Sequence, residues 1–146
     1  MKRTFVVDAS VAIKWFLPEI YSEKASLILE TKWELLAPDL IWAEFGSALR
    51  KKVRQKEVTT QEAEGILRDF MRFPFQIYGC KLLLNLAWQM AHESGNTFYD
   101  SLYLALADNF GCSLITADKK LYESFRKGKA NSNIIWVEDI GDILTS

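Results

Sequence analysis

Phe5-Val6-Val7-Asp8-Ala9-Ser10 decides the fold class. Three branched or aromatic residues, too few for a helix, run into a carboxylate and then into a stretch of helical period. The same pattern recurs along the chain. Short apolar runs at 5–7, 35–37, 75–78, 113–116 and 134–137 read as buried strands. Between and around them, residues 10–17, 22–31, 39–55, 60–73, 81–93, 98–110 and 119–126 have helical period. Strands alternating with helices imply right-handed crossovers and a mostly parallel sheet of about five strands, covered on both faces. The expected architecture is an α/β/α three-layer sandwich. Prolines 18, 38 and 74 fall at expected turns and no linker or repeat interrupts the chain, so residues 1–146 read as one domain.

Composition narrows the function. The 146 residues are 49% apolar and 25% charged, with 18 Lys and Arg against 19 Asp and Glu. At this length a single core buries roughly 68–70% of the unfolded surface, so a metal is not needed merely to hold the chain together. Near-neutral charge excludes a generally basic nucleic-acid coat protein. Cys80 and Cys112 form neither a zinc spacing nor a disulfide framework, and read as buried thiols in a reducing compartment. Asp8 interrupts the N-terminal apolar run too early for a signal peptide, and no run of 18 apolar residues occurs. The expectation is a soluble cytoplasmic protein that does not enter a membrane.

In such a fold, ligands bind beyond the carboxyl ends of the strands. Asp8 and Ser10 follow the first strand there. Thr116 ends the fourth and Asp118 follows it. Asp8 and Asp118 are also natural helix N-caps, and Thr97-Phe98-Tyr99-Asp100 resembles a capping box, so each acid has a purely structural reading. Asp100, however, stands among Phe98, Tyr99, Leu102 and Tyr103. Glu44 sits on the apolar face of its helix, near Leu40, Ile41, Ser47 and Ala48. One fold can bring all four acids together. Carboxylates ~5 Å apart repel by roughly 3 kcal/mol per pair at an effective dielectric near 20, so the cluster must protonate or bind cations. Oxygen ligands without His or Cys select hard ions such as Mg2+ or Mn2+, whose natural chemistry here is phosphodiester hydrolysis. Ser10 and Thr116 are candidates to orient the acids or a water, or simply to bond local turns.

Taken in order, Val-Val-Asp8-Ala-Ser10, Glu44, Tyr99-Asp100-Ser-Leu-Tyr-Leu-Ala-Leu-Ala107 and Leu-Ile-Thr116-Ala-Asp118 resemble the PIN domain, most closely the VapC-type toxins of prokaryotic toxin–antitoxin pairs. The resemblance spans essentially the whole chain. It implies a Mg2+- or Mn2+-dependent endoribonuclease acting on RNA, frequent homodimerisation, and inhibition by a small antitoxin. The family's acidic positions carry over to Asp8, Glu44, Asp100 and Asp118, and its hydroxyl positions to Ser10 and Thr116. Residues 60–73 and the tail after Arg126 match no motif of the family.

Two basic segments could steer phosphates: 50–56, with Arg50, Lys51, Lys52, Arg54 and Lys56, and 119–129, with Lys119, Lys120, Arg126, Lys127 and Lys129. A solvated helix end is the plainer reading of the first. Lys14 is a further candidate phosphate contact. His92, the only histidine, has no partner for acid–base or nucleophilic chemistry, and no phosphate-loop or nucleophile-elbow motif occurs. Trp15 and Phe16 are candidates for a partner or dimer surface, and Asp108 is a solvated acid. Two other functions stay open: aspartyl phosphotransfer with Asp8 as nucleophile, although Ser10 stands where such enzymes usually carry a second acid, and a PIN-like module that binds RNA or protein without cutting.

Overall fold

A five-stranded sheet forms the centre of the computed structural model, which describes residues 2–126 and 133–145. The strands are β1 (Thr4–Val7), β2 (Glu34–Pro38), β3 (Gln76–Tyr78), β4 (Ser113–Thr116) and β5 (Ile134–Trp136). They stand in the order β3-β2-β1-β4-β5, and every neighbouring pair is parallel. The helices are α1 (Ala9–Ala12), α2 (Ser22–Ser26), α3 (Leu40–Arg54), α4 (Thr60–Met71), α5 (Cys80–Ser94), α6 (Phe98–Phe110), α7 (Lys119–Arg126) and α8 (Ile140–Leu144). Among the described residues, no helix is long and apolar enough to cross a membrane.

The two-residue alternation of β1 sends its side chains into two separate cores. Val6, with Leu36 and Leu114 from the flanking strands, packs under α3, α5 and α6 through Phe45, Leu83 and Leu106. Phe5 and Val7, with Leu35 and Ile115, pack under α2, the turn that follows it and α8 through Ala25, Ile28 and Ile140. This is the expected three-layer α/β/α sandwich, with a fully parallel sheet. Strand β1 lies at its centre, and the chain winds outward from it toward β2 on one side and reaches β4 on the other. The carboxyl end of β1 is therefore the switch point where a crevice opens.

Several expected elements change form. The helix anticipated over 10–17 is four α-helical residues from Ala9, tightening into a 3-10 turn at Ile13–Trp15. Pro18 disfavours helical geometry at the residue before it. The tighter turn tucks Trp15 inward: its Nε1 donates to the Ala25 carbonyl (3.0 Å), and its ring stacks on Phe73 at 4.6 Å. Phe16 meets Phe45 edge-on at 5.6 Å. Both residues are half-buried and pack within the chain. The stretch 22–31 likewise divides into α2 and a 3-10 turn, Leu27–Glu30. Helix α8 lies in the tail that the motifs left unread and buries Ile140 completely. The two cysteines are half-buried, and both Cys80 N–H (3.1 Å) and Cys80 Sγ (2.7 Å) donate to Asp39 Oδ1, joining the starts of α3 and α5.

Helix α3 is fastened by Phe45, which is wholly buried and stacks on Phe70 of α4 with ring centroids 3.7 Å apart. Phe45→Ala removes that stack and leaves a cavity, so urea unfolding is expected to show a loss of about 3–5 kcal/mol. A loss below about 1 kcal/mol would mean that α3, and Glu44 with it, is held by something else.

Candidate functional site

Two strand ends meet at the switch point, and hydroxyls bind them together. Asp8, only 5% exposed, follows β1 and caps α1 by accepting from the Val11 N–H at 3.2 Å. The Ser10 hydroxyl donates to Asp8 Oδ1 and the Thr116 hydroxyl, from the end of β4, to Asp8 Oδ2, each at 2.5 Å. Each hydroxyl also accepts a backbone N–H, Ser10 from Ala117 (2.9 Å) and Thr116 from Asp118 (3.0 Å). Each hydroxyl thus spends its one proton on Asp8 and accepts one N–H along the seam, and the two hydroxyls lie 3.4 Å apart. The local-turn reading and the orienting reading of Ser10 and Thr116 therefore describe the same bonds.

The other three acids approach from separate elements. Asp118 caps α7, accepting from the Leu121 N–H at 3.1 Å, yet remains exposed. Asp100 lies half-buried in the first turn of α6, where its N–H donates to the cap hydroxyl of Thr97 (3.0 Å). Glu44 is half-buried on α3. Capping and membership of the cluster coexist, because a cap occupies only part of a carboxylate.

Electrostatics shows that these groups share one field. Burial pushes the Asp8 carboxyl from 3.8 up to about 6; hydrogen bonds from Ser10, Thr116 and Val11 pull the other way, and the Asp118 charge adds to the rise. Burial also raises Glu44; a nearby Tyr103 hydroxyl counteracts this, while Asp100 and Asp118 reinforce it. Asp100 rises chiefly from burial and then from Asp118, against Thr97 and Lys120. Asp118 is thus the common neighbour of the other three. Ion pairs among the described residues form at Glu19 and Glu57, not at any of these four acids. No three Asp, Glu, His or Cys side chains among the described residues are gathered tightly enough to enclose an ion as they stand.

The remaining candidates divide. Both oxygens of buried Asp8 accept from donors, an arrangement that fixes the carboxylate in one orientation. Lys14 and Lys52 converge on Glu19, at 3.1 and 2.8 Å, and Lys52 also pairs with Glu57 at 3.3 Å. Lys14 and the Lys52 member of segment 50–56 are therefore neutralised within the chain. Lys119 and Lys120 are exposed beside Asp118; Lys127 and Lys129 lie outside the described residues. His92 and Asp108 are solvent-facing. Sequence reasoning took Tyr103 only as an apolar neighbour of Asp100. The structure sets its hydroxyl beside Glu44, which the three-residue spacing from Asp100 on one helix could have signalled.

Residues 5–125 match the PIN domain family. The chain belongs to that family. It is homologous to VapC-type ribonucleases: it is 33% identical over 122 residues to Ribonuclease VapC3 of Pyrobaculum aerophilum, covering 82% of this chain and 93% of that protein. It is also 28% identical over 119 residues to Ribonuclease VapC9 of Mycobacterium tuberculosis, covering 82% and 89%. Among solved structures, PAE2754 from Pyrobaculum aerophilum superposes on this PIN fold with a TM-score of 0.69 at 25% identity, over 99% of this chain and 91% of that one.

The raised pKa of Asp8 has a consequence for stability. The folded chain keeps the Asp8 proton up to about pH 6, whereas the unfolded chain releases it near 3.8, so ionising Asp8 destabilises the fold as pH rises through that window. The separation of about 2 pH units corresponds to roughly 3 kcal/mol as a ceiling. Urea unfolding in EDTA at a series of pH values is expected to show wild type losing stability relative to Asp8→Asn between about pH 4 and 6. Parallel profiles would contradict this, whatever the offset between them.

Proposed function

We propose that this chain is a Mg2+- or Mn2+-dependent endoribonuclease, the toxin of a toxin–antitoxin pair, in which Asp8, Glu44, Asp100 and Asp118 hold the divalent ion. One observation carries the reading. Four carboxylates from four separate segments share a field at the switch point of the sheet, three of them with raised pKa values, and none is paired with a cation among the described residues. An all-oxygen set of this kind suits a hard ion, and a modest rotation of exposed Asp118 is compatible with drawing the acids together. The bound ion would supply Lewis acidity, generating a nucleophile from water near neutral pH and offsetting charge on the phosphate and the leaving oxygen.

The chain's own residues set up that chemistry. Ser10 and Thr116 hold both oxygens of Asp8 in place, so the carboxylate has little freedom to lose when it binds. The cap at Thr97 fixes the first turn of α6 and with it Asp100. Lys119 and Lys120, exposed at the start of α7, supply positive charge on the rim toward which an RNA phosphate is drawn. The proposed homodimer and small antitoxin are supported by the apolar surface that Leu82, Leu84 and Trp88 of α5 and Tyr99 of α6 leave exposed. An RNA substrate and two free cysteines are both consistent with the cytoplasm.

Purified protein is expected to cleave RNA with Mg2+ or Mn2+, to stop in excess EDTA, and to lose at least about a hundredfold in rate on Asp100→Asn or Asp118→Asn while keeping its fold by circular dichroism. Cleavage that persists in EDTA or in Asp100→Asn sinks the proposal. Binding of RNA with neither Mn2+ affinity nor cleavage would identify a noncatalytic PIN-like module.

A further inference from the structure

Two buried side-chain polar atoms have no hydrogen-bond partner among the described residues, Asn96 Nδ2 and Tyr103 Oη. Asn96 is bonded through its other amide atom, which accepts from the Ser124 hydroxyl at 2.5 Å. Tyr103 has no such second attachment. Its side chain is 1% exposed in the core beneath α3, and its one polar atom ends without a bond. A buried tyrosine hydroxyl ordinarily finds a partner, and an unmet one costs about 1–3 kcal/mol. The groups around this one are the Glu44 carboxylate, the backbone of Ala9 and the charge of Asp8. The phenol thus reaches from α6 to the place where α3 and the end of β1 come together. A phenol carries its proton at neutral pH and can donate it.

We propose that Tyr103 is a positioning residue of the acidic site: its hydroxyl donates to the Glu44 carboxylate and turns it toward Asp8, Asp100 and Asp118 when a divalent cation draws the acids together. The inference rests on the metal-dependent reading above and extends it to a residue behind the acids. Geometry favours it in two ways. Asp100 and Tyr103 are three residues apart on α6 and share a face, so one rigid helix carries both the acid and the donor. Phe45 fixes the helix turn that bears Glu44, leaving the Glu44 side chain as the part free to move. An anionic carboxylate accepting from a buried hydroxyl makes a short, strong bond, and that bond would satisfy the orphaned oxygen.

Calorimetric titration of the whole chain with Mn2+ tests this. Tyr103→Phe is expected to weaken Mn2+ binding about ten- to a hundredfold, the usual cost of removing a ligand's supporting partner. Its thermal midpoint should be unchanged or higher, since an unmet donor is gone. Tyr103→Phe combined with Glu44→Gln should bind no more weakly than Glu44→Gln alone, because the tyrosine acts only through that carboxylate. Full Mn2+ affinity in Tyr103→Phe, or additive losses in the double variant, overturns the role of Tyr103 and leaves the metal reading intact. Wild-type protein that fails to bind Mn2+ overturns both. Should Tyr103→Phe not fold, the wild-type Tyr103 hydroxyl proton provides the measurement. Its NMR signal is expected to move downfield on adding Mg2+, and a signal that does not move overturns the proposal.

Discussion

Burial of one carboxylate between two parallel strands organises this molecule. Asp8 leaves β1 at the point where the sheet's winding reverses, and there is almost no water for it there. Hydroxyls from Ser10 and Thr116 replace the lost solvation and, in doing so, tie β1 to β4 across 108 residues of sequence. The replacement is incomplete, because desolvation still outweighs the hydrogen bonds. A neutral residue would suit the fold better at that position. An acid whose charged form the site disfavours is a candidate for chemistry as well as architecture.

The surrounding helices carry the same tension in weaker form. Glu44 and Asp100 are each half-withdrawn from water, and each feels Asp118. The chain has cations that might have compensated them. Two of these, Lys14 and Lys52, are instead bound to Glu19, leaving the acids to one another. The ion-pair network and the acidic site are therefore complementary. Lys14 and Lys52 are spent on Glu19, while negative charge accumulates at the strand ends with Lys119 and Lys120 exposed on its rim.

Much of the fold was legible from short-range pattern. Five apolar runs became five strands within a residue or two, because a buried parallel strand needs a continuous apolar stretch and leaves a plain trace. Long helices such as α3 and α6 were equally clear. The helices over 10–17 and 22–31 were misread as uninterrupted, since periodicity does not distinguish an α-helix from an α-helix tightened into a 3-10 turn, and Trp15 supplied the tertiary reason for tightening. Helix α8 has only five residues and owes its existence to the pocket that receives Ile140. The acids are candidates by position, and the caps that Asp8 and Asp118 make occupy only part of each carboxylate. Tyr103 escaped because a tyrosine in an apolar helix looks like core until the environment of its oxygen is known.

From the sequence alone follow the order of strands and helices, the parallel sheet, and the six residues, Asp8, Ser10, Glu44, Asp100, Thr116 and Asp118, that stand at its carboxyl edge or face it. These depend on neighbours within a few positions, which is information a linear chain displays. Only the tertiary structure decided that Asp118 is the charge common to the other acids, that Lys14 is neutralised by Glu19, that Trp15 points inward, and that the Tyr103 hydroxyl lies beside Glu44. Desolvation and Coulomb interaction depend on distance through space, and residues as far apart in sequence as 8 and 116 acquire that distance only when the chain has folded.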